Sequence, residues 1–121
     1  MFSVAVVLLT AAATGTACGK DTPQSSSAAP LSGPAQRGLD VARANGCTGC
    51  HTTNGRPSTG PTWNGIWGTE VTLTDDRRVV VDTAYVRRSI EDPRAEEVSG
   101  FASSMPQVGL TDEEIAAITD L

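Results

Sequence analysis

The chain of 121 residues holds one histidine, His51, and one lysine, Lys20. Aromatics are equally scarce at 4%, and Trp63, Trp67, Tyr85 and Phe101 all lie beyond the first third. Each shortage excludes something. From Arg37 onward eight arginines face thirteen carboxylates and the whole chain carries −5, so there is no broad cationic face for phosphates and a nucleic-acid partner is excluded. With so few large side chains, a domain of this size lacks material for its own core. Small domains in that position rely on disulfides, a metal or a cofactor. Long apolar runs are missing too. The longest, at residues 4–9, is too short to span a bilayer as a helix.

What is present falls into three parts. Residues 1–17 combine that apolar run with a small-residue stretch and fit an export signal, although the usual basic residues before the run are absent. Thr16, Ala17, Cys18 and Gly19 resemble the processing site of a bacterial lipoprotein, with Gly15 where a larger aliphatic residue is usual. That resemblance implies lipidation of Cys18, a cell-membrane lipid anchor and contact with the membrane surface; a soluble periplasmic protein is the alternative. Residues 18–36 are rich in Ser, Ala, Pro and Gly without apolar periodicity and read as a flexible tether. Its 17 residues from Lys20 would give a typical span of roughly 20 to 25 Å. Residues 37–121 read as one folded domain.

Within that domain Leu39, Val41, Ala42 and Ala44 predict a short helix from Gln36 to Asn45, ending at Gly46. Residues 52–68 are dense in Gly, Pro, Thr, Ser and Asn and predict a long loop. Alternation on both sides of Asp75 and Asp76 predicts a hairpin over residues 71–82. Asp82 or Thr83 then caps a helix bearing Tyr85, Val86 and Ile90, which must stop near Asp92 because Pro93 follows. Thr111 and Glu114 have capping-box spacing, with Ile115, Ile118 and Leu121 as the apolar stripe behind them. The fold class is mostly α.

The scarce residues converge in one pentapeptide, Cys47-Thr48-Gly49-Cys50-His51. Cys-x-x-Cys-His is the attachment signature of c-type haem. Two thiols about one turn apart can each add across a vinyl group on one porphyrin edge, and the next side chain can reach the iron. Three other readings compete. A structural zinc site needs four ligands, but the domain has no further Cys or His. A thioredoxin-like pair needs a βαβ setting, which the pattern lacks. A structural disulfide over two residues closes a very small loop and gains little. For the other axial position of a haem the candidates are few. Lys20 lies in the tether, and of the two methionines only Met105 lies in the domain, stiffened by Pro106.

These residues, with "GPTWNGIWG" at 60–68, "YVRRSIEDP" at 85–93, "GFASSMP" at 100–106 and "LTDEEIAAI" at 110–118, resemble a class I cytochrome c. The nearest likeness is the cytochrome c domain fused to subunit II of caa3-type terminal oxidases. The resemblance covers the domain and implies about four short helices around one covalent haem c with a hairpin insertion. It implies thioether attachment at Cys47 and Cys50, axial ligation by His51 and Met105, and a Pro61 carbonyl that orients His51. Trp63, Trp67 and Tyr85 would pack about the haem, with Ile90 and Phe101 in the same shell. The implied role is a monomeric carrier of single electrons, not an enzyme, working outside the cytoplasm with a membrane redox complex, an oxidase or a reductase. A haem-based gas sensor and an electron-accepting module of a dehydrogenase complex are the alternatives. With no lysines in the domain, docking falls to a small apolar patch or to Arg87 and Arg88. Thr69 stands where relatives often carry a propionate-facing arginine. Ala42 replaces an aromatic of the first helix, and relatives continue past the position of Leu121 with an aromatic, so thin packing of first helix on last is expected. Asp75-Asp76 replaces the usual Asp-Gly, which predicts an irregular hairpin.

Overall fold

Ser32 and Pro34 open the first helix. In the computed structural model, which describes residues 30–101 and 105–121, the Ser32 hydroxyl accepts a hydrogen bond from the Ala35 amide at 3.4 Å. Proline occupies the first turn, where its missing N–H leaves nothing unpaired. Helix α1 therefore runs Gly33–Ala44, three residues earlier than expected. Residues 33–36, assigned above to the tether, are helical and Ala35 is buried. The Ser and Pro content that suggested a linker here is cap and first-turn chemistry. At the other end the Asn45 amide side chain donates to the Val41 carbonyl at 3.0 Å, and Gly46 takes a left-handed φ of 75° that favours glycine. The chain reverses into a single 3₁₀ turn, Cys47–Gly49.

Helix α2 spans Thr83–Glu91 and α3 spans Asp112–Thr119. The Asp82 carboxylate accepts from the Tyr85 amide at 2.8 Å, and α2 ends at Asp92, before Pro93. Thr111 and Glu114 form the capping box, each side chain accepting from the other's backbone amide, and acids at positions 112–114 suit the positive end of the helix.

Helix α1 packs on α3 more extensively than any other two elements pack, through Ala35, Gly38, Leu39 and Ala42. The contact is close, not thin. A Cβ on Gly38 would stand 2.1 Å from the Ala117 carbonyl oxygen, and Ala42 is wholly buried. Small side chains let the backbones approach, so no aromatic is needed to fill the crossing.

Strands β1 (Glu70–Thr72) and β2 (Arg78–Val80) pair antiparallel, Val71 opposite Val79. The turn between them is regular. The Asp76 amide donates to Leu73, the Leu73 amide donates to Arg77, and Asp76 sits at φ 66°, the left-handed residue of a three-residue hairpin loop. Hydrogen bonds from Arg77 hold the Asp75 carboxyl below the usual carboxylate range. Leu73 also bridges to Val98, so residues 97–99 lie beside β1. Leu73, Val81 and Tyr85 form a small core cluster here, with Ile66, Val71 and Val98 packed against it.

The paired arginines are committed to their own chain. Arg87 bonds both Glu91 at 2.9 Å and Asp112 at 2.7 Å, joining α2 to α3. Arg88 reaches Glu96 at 3.0 Å, and Arg77 approaches the same carboxylate at 3.8 Å.

Candidate functional site

The Gly46 reversal brings Cys47 to the edge of a cavity of about 240 Å³. The space is far larger than the voids that native interiors leave, and it opens to the surface. Apolar side chains from both halves border it: Val71, Val81 and Tyr85 from the hairpin and α2, Leu110 and Ile118 from the α3 side. A large apolar group is what such walls accept.

On its rim stand the residues that carry chemistry. The Cys50 and His51 amides both donate to the Cys47 carbonyl, at 3.1 and 3.0 Å, which folds the pentapeptide into one tight turn. Cys47 and Cys50 are free thiols, half-buried. They form no disulfide, and among the described residues no three His, Cys, Asp or Glu side chains gather as a metal-binding group. Burial pushes the Cys47 thiol above its ordinary pKa, with Cys50 adding to the rise against a backbone hydrogen bond that lowers it.

His51 is the most constrained side chain of the group. Its Nδ1 lies 2.8 Å from the Pro61 carbonyl, which can only accept, so Nδ1 carries a proton and the lone pair of the neutral ring is on Nε2. The loop that supplies Pro61 is tied back to the pentapeptide. The Gly60 amide donates to Cys50 at 2.9 Å, the Trp63 amide to Thr52 at 2.8 Å, and the Thr62 hydroxyl to Thr52 at 3.1 Å. Gly60 is indispensable in a way the sequence did not show. A Cβ there would meet His51 Cε1, Nδ1 and Nε2 at 2.7, 2.9 and 3.1 Å, near-equal distances that put Gly60 over the ring face. Trp63 stacks on the same imidazole, with centroids 5.0 Å apart and planes 15° from parallel.

Met105 borders the same cavity, half-buried, as do Phe101 and Ile90. The cavity thus brings together Cys47, Cys50, His51, Pro61, Trp63, Tyr85 and Met105. Burial raises the pKa of Tyr85, which keeps its phenol neutral. Trp67 is a correction: it is 55% exposed and borders not this cavity but a second groove with Leu121, in a stretch flanked by the left-handed glycines 65 and 68. Thr69 does not border the cavity either; its hydroxyl donates to Ile66. Sequence reasoning missed Ser89 and Glu96 at the cavity wall. Ser89 falls one turn after Tyr85 on α2, a helical spacing that could have found it.

An apolar cavity with two free thiols one turn apart and a tautomer-fixed imidazole at its rim defines a c-type haem protein. The family model for cytochrome c matches residues 35–121, and the chain belongs to that family. No curated protein matches the chain. Members of the family carry covalently attached haem c and transfer electrons; the chain is an electron-transfer protein and not an enzyme, and its mostly helical fold with a two-stranded sheet is that of a class I cytochrome c.

Proposed function

We propose that this chain is a single-electron carrier of an extracytoplasmic respiratory chain, with its haem joined through Cys47 and Cys50 and its iron held by His51 and Met105. One observation carries the reading: a single apolar cavity gathers all four residues, although Met105 lies far along the chain from the pentapeptide. When bound there, the haem supplies a reversible one-electron iron couple. The chain's own residues do the rest. The Pro61 carbonyl fixes the donor nitrogen of His51 and raises its basicity, as such partners do for metal-bound histidines. With the Met105 thioether and the His51 imidazole as its ligands, the iron would favour the reduced state relative to two nitrogens and would leave no vacant position for oxygen or peroxide. The apolar wall limits water around the redox centre. Thr48 and Gly49 are exposed between half-buried cysteines, so the site reaches the surface there and electrons pass at that edge.

The partner is a membrane complex, a terminal oxidase or a reductase, in keeping with the likeness to an oxidase-fused domain. Cys18 lies outside the described residues. Its lipidation would hold the domain at the membrane and raise its effective concentration near that partner without new contacts. Among the described residues no helix is long and apolar enough to cross a membrane.

The test is an absorption spectrum of purified protein, oxidised and reduced, with and without carbon monoxide. The reading expects covalent haem, a sulfur-to-iron charge-transfer band in the oxidised form and no carbon monoxide adduct in the reduced form. A colourless product from a haem-maturing host sinks the whole reading; ready binding of carbon monoxide sinks the Met105 assignment alone. For the anchor, Cys18→Ser should move the protein from the membrane fraction to the soluble one.

A further inference from the structure

We propose that Trp63 is a positioning residue for the His51 imidazole: it fixes the rotation of the ring and keeps water from the hydrogen bond to Pro61. The inference rests on the axial role of His51 proposed above. A single hydrogen bond at Nδ1 fixes the distance of the imidazole from Pro61 but leaves the ring able to rock about that line. A flat contact on its face removes that freedom, and the indole provides one, within 15° of parallel at 5.0 Å. The contact is itself anchored. The Trp63 amide donates to the carbonyl of Thr52, the residue after His51, at 2.8 Å, and the Thr62 hydroxyl donates to that same carbonyl. The backbone carrying the indole is thus fastened beside the backbone carrying the imidazole.

Position adds the second part. Trp63 borders both the cavity and the second groove lined by Trp67 and Leu121, so the indole forms part of the wall between the imidazole and the outer surface. Gly60 covers the ring near Cε1 by its backbone, an approach that admits no side chain. Pro61 meets the ring nitrogen, Gly60 lies over the ring and Trp63 stacks on it, and together they leave the imidazole little room. A well-shielded Nδ1–H···O=C bond makes the imidazole a stronger donor and favours the oxidised iron. Trp63 therefore acts on the iron through His51 and not by merely filling volume.

Leucine and phenylalanine separate these roles, since leucine fills space without a flat face and phenylalanine keeps the face. The haem-bearing wild type, Trp63→Phe and Trp63→Leu would be compared in three measurements. These are solvent exchange of the His51 Nδ1–H by NMR in the reduced protein, the pattern of haem methyl shifts in the oxidised protein, which follows the azimuth of the axial imidazole, and the reduced-to-oxidised ratio at one ambient potential. Trp63→Phe should stay within about twofold of wild type, whereas Trp63→Leu should speed exchange about tenfold, alter the methyl pattern and raise the reduced-to-oxidised ratio about threefold. Wild-type exchange and methyl pattern in Trp63→Leu overturn the proposal. Should that variant fail to accumulate, the wild type alone decides: a His51 Nδ1–H that exchanges as fast as a free imidazole overturns the proposal, and a protected one, with Trp63→Phe unchanged, supports it. A wild type without covalent haem would instead overturn the functional reading on which the proposal rests.

Discussion

The two sides of the cavity are built differently. On the His51 side, residues 50–64 form a closed set of hydrogen bonds: Gly60 to Cys50, Trp63 and Thr62 to Thr52, the Gly55 amide to the Thr62 hydroxyl, and His51 to Pro61. On the Met105 side, residues 105–110 are tied to the other described residues by one bond, from the Gln107 side chain to the Glu91 carbonyl at 2.6 Å. The imidazole is held before any iron arrives. Residues 105–110 run directly into the capping box of α3, and no described hydrogen bond joins Met105 itself to the His51 loop. A ligand made rigid by protein and a ligand made rigid by its metal should fail in different ways.

Removing each ligand gives the largest contrast. His51→Ala takes away the group around which a whole loop is arranged, and covalent haem content should fall about tenfold or more, read from pyridine haemochrome absorbance. Met105→Ala leaves both thioethers and the His51 loop intact, so haem content should stay within about twofold while the reduced protein gains carbon monoxide binding. Equal loss of haem in both variants would break the distinction between the two sides.

Glycines test the same contrast without touching a ligand. Gly60→Ala drives a methyl to 2.7 Å from the His51 ring, and overpacking of this kind costs about 1 to 3 kcal/mol. For a domain of this size that lowers Tm by roughly 4 to 8 °C per kcal/mol, measurable by calorimetry of the haem-bearing protein. Gly109→Ala, on the methionine side, meets nothing within 4 Å and should change stability by less than about 0.5 kcal/mol. A costly Gly109→Ala would show that the methionine side is packed as tightly as the other.

Local chemistry with a fixed spacing was legible in the sequence. The capping box at Thr111, the stop before Pro93 and the hairpin each depend on a few neighbouring residues, and each stands where the pattern put it. The start of α1 was hidden because Ser32 and Pro34 look alike in a linker and in a first turn. Close approaches were illegible for another reason. The pairing of Gly38 with Ala117, and of Gly60 with His51, is a property of two distant backbones, and glycine carries no signal of what it lies against. Trp67 was misplaced because composition shows that an aromatic is present but not which surface it lines. At the hairpin an aspartate does what a glycine usually does. Asp76→Gly should therefore relieve the left-handed strain and stabilise by about 0.5 to 1 kcal/mol, read as a raised denaturant midpoint with an unchanged slope.

The smallest effect bears on how the methionine side is held at its ends. Arg87 on α2 bonds Asp112, the first residue of α3, and so spans the two helices between which the Met105 segment runs. Its side chain is one third exposed and that of Asp112 is 82% exposed, so the tie is weak and is screened by salt. If the methionine segment depends on its ends, Arg87→Ala should lower the denaturant midpoint for loss of the sulfur-to-iron band at about 0.01 M salt, and the difference from wild type should shrink at about 1 M. The midpoint for exposure of Trp63 should move less, because the His51 loop is closed by its own hydrogen bonds. Two midpoints that shift together by the same amount would mean that the two sides unfold as one unit, and that the difference in bonding among the described residues has no separate energetic consequence.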